Sequence, residues 1–319
     1  HLASGVAMLK QADFRMSADH PPLARVWCAL PLLFMDHQWP DLRSDAWVEA
    51  DIVRFSLQWM FELNDPQRLI FPARLMMVAV LLGVCAATYA TGRRLFGPAA
   101  GLLALLLAAF SPTLLAHGRL VTTDLPVALF ITLSILSYAL LLERVTWPRL
   151  VACGLAVGAA SISKMSWPLM LPALGIMLLA ALFRRAPRSS GAPADAAITP
   201  AAAAAGRGRT LKMIVASVSL AGFVWIAIWS AYGWQRTLIA PLPPNPTPDE
   251  VERNERTLEL VNYQWHYALH DANDVPRRGL VAALCRAAVD YSLLPDSYVF
   301  GLARTLFFAG ARTAYFLGE

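Results

Sequence analysis

Six apolar stretches recur along this chain, at about 74–92, 98–116, 125–142, 149–165, 167–183 and 212–232. Each is close to the ~20 residues that a helix needs to cross the hydrocarbon core of a bilayer. A backbone inside lipid has to satisfy its own hydrogen bonds, so unbroken apolar runs of this length read as helices. The fold class they imply is all-α, a polytopic membrane helix bundle with about six spans. Composition agrees, because 57% of the residues are hydrophobic and only 15% charged, against roughly 25% charged in a soluble domain.

The charges that do occur are placed unevenly. The links near 93–97, 143–148 and 184–211 carry Arg93, Arg94, Arg144, Arg184, Arg185, Arg188, Arg207 and Arg209, whereas those near 117–124 and 164–167 carry only Arg119 and Lys164. Positive residues stay on the cytoplasmic side, which puts the Arg-rich links inside and both ends of the chain outside. Three regions follow: residues 1–73, a first outer loop with interfacial helices; 74–232, the transmembrane bundle with a cytoplasmic linker at 184–211; and 233–319, an outer-face loop region. Arginine- and alanine-rich, lysine-poor usage points to a bacterial plasma (inner) membrane.

The net charge of +5 is used for topology, and no nucleic-acid motif accompanies it, so nucleic acid is not an expected partner. Nor is there a Walker loop, GxSxG, HExxH or GxGxxG in strand-helix context, which leaves a nucleotide-driven machine without support. The four cysteines form no CxxC pair. Cys85 and Cys153 lie in apolar helices as small hydrophobes, and Cys28 and Cys285 are the one pair able to meet outside the membrane.

Residues 22–35 and 46–63 alternate apolar and polar positions at near-helical spacing and are rich in Trp and Met. They read either as helices lying in the interface plane or as a small packed external domain. The Ala-, Pro- and Gly-rich stretch 186–210 reads as a flexible linker. Proline excludes a helix at 241–248, and the polar tail beyond it has helical patterning at 249–270 and 279–294.

Between Leu69 and Pro248 only three acidic residues occur, and one of them, Asp124, stands where a helix meets the outer face. A charge there is expensive enough to suggest a function. Around it the topology gathers His20 in His20-Pro21-Pro22-Leu23, Arg74 at the mouth of the first span, His117 and Arg119 in the same link, and Lys164 at the end of the fourth span. Cations at an outer interface suit a lipid-linked phosphate, whose head group they hold while its chain stays in the bilayer. A nearby carboxylate suits proton acceptance from an acceptor hydroxyl, or a metal. Plainer readings stand beside these. Arg74 fits a snorkelling anchor, Arg119 and Asp124 fit an ion pair or an N-cap before Leu125-Pro126, and His20 and His117 fit hydrogen-bonded interface residues.

The blocks Asp13-Phe14-Arg15-Met16 and Asp19-His20-Pro21-Pro22-Leu23-Ala24-Arg25 resemble the first outer loop of phospholipid-carrier-dependent glycosyltransferases. These are GT-C type enzymes, related to protein O-mannosyltransferases and aminoarabinose transferases (glycosyltransferase family 39 or 83 type). Pro72-Ala73-Arg74, Gly92-Arg93-Arg94-Leu95-Phe96-Gly97 and Ser111-Pro112 through Asp124-Leu125-Pro126 look like the adjoining helices. Leu294 to Gly301 and Tyr315 to Glu319 resemble later outer-loop motifs, more weakly.

The resemblance implies transfer of a sugar from a polyprenyl-phosphate donor to a protein, lipid or glycan acceptor at the extracytoplasmic face, by a single inverting in-line displacement. It implies catalytic roles for Asp124 and His20, and phosphate-binding roles for Lys164, Arg74, Arg119 and His117. Lys164 matches a lysine that faces the carrier phosphate in relatives. No nucleotide is called for. A divalent ion occurs within the wider superfamily, but no ligand cluster in the sequence establishes one, so the cofactor is unknown. In the family an acidic pair ends the first membrane helix, just ahead of the position matching His1. The expectation is therefore a fragment lacking that helix, its carboxylates and the helices after Glu319, and inactive alone. A lipid-linked-substrate transporter or flippase is the alternative reading of the same intramembrane charges; it requires inverted repeats with broken helices, and no corresponding halves are visible.

Overall fold

The structure is a computed structural model that describes residues 1–17, 19–183, 200–238, 242, 244–270 and 278–308. The 1–73 region contributes α1 (Leu2–Gln11), α2 (Leu23–Ala29), α3 (Asp45–Val48) and α4 (Ile52–Leu57), the last running into a short π-helical turn, Gln58–Glu62. The bundle is built from α5 (Pro66–Phe96), α6 (Pro98–Ala109), α7 (Pro112–His117), α8 (Asp124–Glu143), α9 (Trp147–Ser161), α10 (Leu171–Phe183) and α11 (Pro200–Ala231). The tail adds α12 (Pro248–Leu269), α13 (Leu280–Asp290) and α14 (Asp296–Phe308). The helical membrane bundle expected from the apolar runs is observed.

Among the described residues three helices are long and apolar enough to cross a membrane alone: α5, α8 and the Arg207–Ala231 part of α11. The other apolar runs form shorter helices. The 12 residues of α6 and 15 of α9 rise only about 18 and 22 Å at 1.5 Å per residue. The run at 98–116 breaks at Ser111-Pro112, where proline has no N–H to continue α6 and the Ser111 hydroxyl caps α7 by accepting from the Leu114 N–H.

Neighbouring helices pack closely: α5 on α6 and α8, and α9 on α8 and α11. At the α9/α11 contact, a Cβ added to Gly154 would lie 2.3 Å from the Phe223 ring. Small residues of this kind let membrane helices approach. A separate core joins α1, α4 with the turn after it, and the N-terminal half of α5 through Val6, Phe55, Trp59, Leu69 and Ala73.

That core clarifies the 46–63 segment. Its Phe55 and Trp59 side is fully buried, as in a packed domain, while Val53, Leu57 and Phe61 remain exposed along the same stretch. The buried side fits the packed-domain reading, and the exposed apolar side leaves the interface-plane reading open.

Three sequence readings are resolved. The 184–211 linker is helical from Pro200 onward, because a proline at the first position and an alanine run both favour helix; residues 184–199 lie outside those described. Cys28 and Cys285 are free and each buried in its own cluster. The non-helical 241–248 stretch ends at Pro248, where Thr247 and Glu250 form a capping box for α12; its positions 241 and 243, like Tyr315 to Glu319, are outside the described residues.

Candidate functional site

The two ends of α8 carry its only charges. At the first, Asp124 is the opening residue of the helix, with Thr123 as N-cap and no side-chain cap bond. The N-cap role expected for Asp124 is thus not adopted, because its carboxylate turns to a cation. Lys164 lies in the turn after α9, and its Nζ is 2.5 Å from Asp124 Oδ1. The expected Arg119–Asp124 pair does not form. Lys164 takes the carboxylate, while Arg119 is exposed. No hydrogen bond reaches Asp124 Oδ2 among the described residues.

The imidazoles of His20 and His117 are within electrostatic reach of the Asp124 carboxylate. His20 arrives from a distant part of the chain, and backbone bonding explains how. The Leu23 N–H donates to the Ile162 carbonyl at 3.0 Å, which ties His20-Pro21-Pro22-Leu23 to the turn bearing Lys164. From the tail, the Tyr298 hydroxyl accepts from Trp167 Nε1 at 2.7 Å and donates to the Ser161 carbonyl at 3.3 Å. Three segments remote in sequence are therefore fixed around one turn.

Two buried polar atoms in the 117–124 link have no hydrogen-bond partner, His117 Nδ1 and Thr122 Oγ1. Buried polar atoms are rarely left so, since each forfeits its hydration, and a ligand is one way to satisfy them. Between α2, α5 and α8 is an apolar hollow of about 250 Å³ lined by Leu23, Trp27, Val80, Pro126, Leu129 and Phe130, so that its lining includes residues two positions from Asp124 and three from His20 in the chain.

The structure thus brings together Asp124, Lys164, His117 and His20. Arg74 and Arg119 are exposed and make no ion pair among the described residues. Among the described residues there is also no group of three or more His, Cys, Asp and Glu side chains able to hold a common metal ion.

One residue near the site was not among the candidates. The Arg25 side chain is fully buried, and its Nη2 donates to Asp19 Oδ1 at 2.9 Å while Nη1 donates to the His20 carbonyl at 3.0 Å. Burial pushes its pKa down from the ordinary arginine value, and Asp19 opposes that shift. The available signal was an arginine inside the otherwise apolar Leu23–Ala29 helix.

Residues 53–205 match the model of the dolichyl-phosphate-mannose-protein mannosyltransferase family. The match bears out the resemblance read from the sequence and supports a membrane glycosyltransferase of the GT-C type. It covers Arg74, His117, Arg119, Asp124 and Lys164 but stops short of His20 and Arg25. No curated protein and no solved structure matches the chain.

Proposed function

We propose that the chain moves a sugar from a polyprenyl-phosphate carrier to a hydroxyl acceptor at the extracytoplasmic face of a bacterial plasma membrane. The observation that carries this reading is the Lys164–Asp124 pair, with unpartnered polar atoms in the link that leads to Asp124 and an apolar hollow lined by Pro126 and Leu23. A lipid phosphate requires that combination, a cation for its head and a greasy channel for its first isoprenoid units.

Lysine has three N–H donors. Asp124 engages one and aims the ammonium, leaving two for the carrier phosphate, while His117 Nδ1 and Thr122 Oγ1 supply further polar contacts. In the reaction the acceptor oxygen attacks the anomeric carbon from the face opposite the phosphate, and the sugar–phosphate C–O bond breaks. The proton of the hydroxyl passes to a carboxylate, the role open to Asp124 Oδ2, or to His20. Negative charge grows on the departing phosphate in the transition state, so Lys164 contributes most there. Arg74 and Arg119, exposed at the same end, act at longer range by drawing anionic lipid to the surface.

The test is to incubate the full-length protein in proteoliposomes with a radiolabelled polyprenyl-phosphate sugar and candidate acceptors. Transfer that disappears in Lys164→Ala and Asp124→Asn is the expected result. Transfer unaffected by both substitutions removes the site, and a wild type that transfers to no acceptor removes the function.

A further inference from the structure

We infer that Arg25 is a positioning residue for this centre, its guanidinium holding the His20-Pro21-Pro22 segment against the turn that bears Lys164; the inference rests on the transfer reading above. The geometry begins with α2, whose buried face consists of Ala24, Arg25, Cys28 and Ala29. An arginine on such a face has no water to turn to, so every donor has to find a protein acceptor. Arg25 finds two of them in the loop just ahead of it, Asp19 Oδ1 and the His20 carbonyl as described, and a third at the head of α1, His1 Nδ1 at 3.3 Å from Nε. A planar fork that binds a carboxylate and the adjacent backbone carbonyl together sets the orientation of that loop.

The loop is clamped from its other side as well. Pro21 and Pro22 are buried, and proline restricts the residue before it, His20, to extended backbone. One residue beyond, the Leu23 N–H reaches the Ile162 carbonyl. The α1 side leaves no slack, since a Cβ on Gly5 would lie 2.3 Å from the Arg25 carbonyl oxygen. On the far side of the Lys164 turn Tyr298, edge-on against the buried Tyr232 ring with centroids 6.2 Å apart, holds Trp167 and Ser161 as described. Releasing the guanidinium frees the His20 segment without touching Lys164 or Asp124.

The Asp13–Arg15 pair provides a matched control. It too is buried, at 2.6 Å, but its remaining bonds run to the Val48 carbonyl and the Thr257 hydroxyl, which belong to α3 and α12. It therefore serves the packing of the outer region.

The experiment compares full-length wild type, Arg25→Lys, Arg25→Ala and Arg15→Lys in nanodiscs. Arg25→Lys keeps the charge but not the fork, and misplacing a reacting group by about 1 Å costs up to ~100-fold. Its kcat for sugar transfer should fall about 10- to 100-fold with donor KM changed little. Arg25→Ala should be weaker still and recover in millimolar guanidinium, well below denaturing concentrations. Arg15→Lys should lower the melting temperature without a selective loss of kcat. Amide exchange at Leu23 is read in parallel and needs no catalysis: protection in wild type, loss in Arg25→Ala and return with guanidinium are expected. Unchanged Leu23 protection in Arg25→Ala, or a kcat loss no larger than that of Arg15→Lys, overturns the inference. If wild type transfers nothing while Leu23 behaves as stated, the transfer reading fails and the positioning contact stands.

Discussion

The two ends of α8 make the same kind of bond in different surroundings. At one end Asp124 pairs with Lys164; at the other, Glu143 pairs with Arg94 and has Arg149 at 3.9 Å. Exposure does not separate them, since the Asp124 and Glu143 side chains are 50% and 46% exposed. What differs is the company. The Glu143 pair joins adjacent helix ends and stands among arginines, as a solvated pair worth about 0–1 kcal/mol does. The Asp124 pair stands near a loop from the start of the chain, a turn held by a tyrosine from its tail, and two polar atoms without partners. Convergence of remote segments, rather than burial of the charges, is what singles out this end of α8 as the candidate site.

The comparison fails most decisively if Lys164 is dispensable. Lys164→Ala should reduce sugar transfer about 100- to 1,000-fold, the cost of removing a donor aimed at developing charge, as read by initial rates in proteoliposomes. Asp124→Asn should cost about 10- to 100-fold, because the ammonium loses its anchor and the acceptor loses one proton-accepting oxygen. Thr122→Val sharpens the contrast by separating folding from function. Removing a buried hydroxyl with no partner should leave the melting temperature unchanged or raise it, with a gain of at most about 1 kcal/mol, while transfer drops severalfold. At the other end, Glu143→Gln and Arg94→Ala should change transfer less than about twofold and stability by less than about 1 kcal/mol. A large loss of transfer there, with a small one at Lys164, would reverse the assignment of the two ends.

The sequence revealed Asp124 and Lys164 because each is a scarce charge within apolar surroundings, and that scarcity is a local property. Helix existence was legible for the same reason, since a long apolar run allows little else. Where helices stop was less so: the break at Ser111-Pro112 splits a run that looks continuous by hydropathy, and the helix that α11 builds back to Pro200 is masked by a composition usually associated with linkers. Arg74 is less legible, because a snorkelling arginine and a ligand-binding one occupy the same place in a sequence and differ only in where the side chain goes. Arg25 was hidden because its importance comes from partners five and six residues away, Asp19 and His20, and from the packing of α2 against α1. Spacing alone does not distinguish it from any surface arginine.

The most direct measurement is an experimental structure of the full-length protein with polyprenyl phosphate bound in nanodiscs. The account predicts the phosphate within about 4 Å of Lys164 Nζ, a charge-pair distance, with His117 and Thr122 turned to it and the first isoprenoid units between Trp27 and Leu129. A phosphate seated instead among Arg93, Arg94 and Arg149, or one that leaves the Lys164–Asp124 pair untouched at a distance, would contradict it.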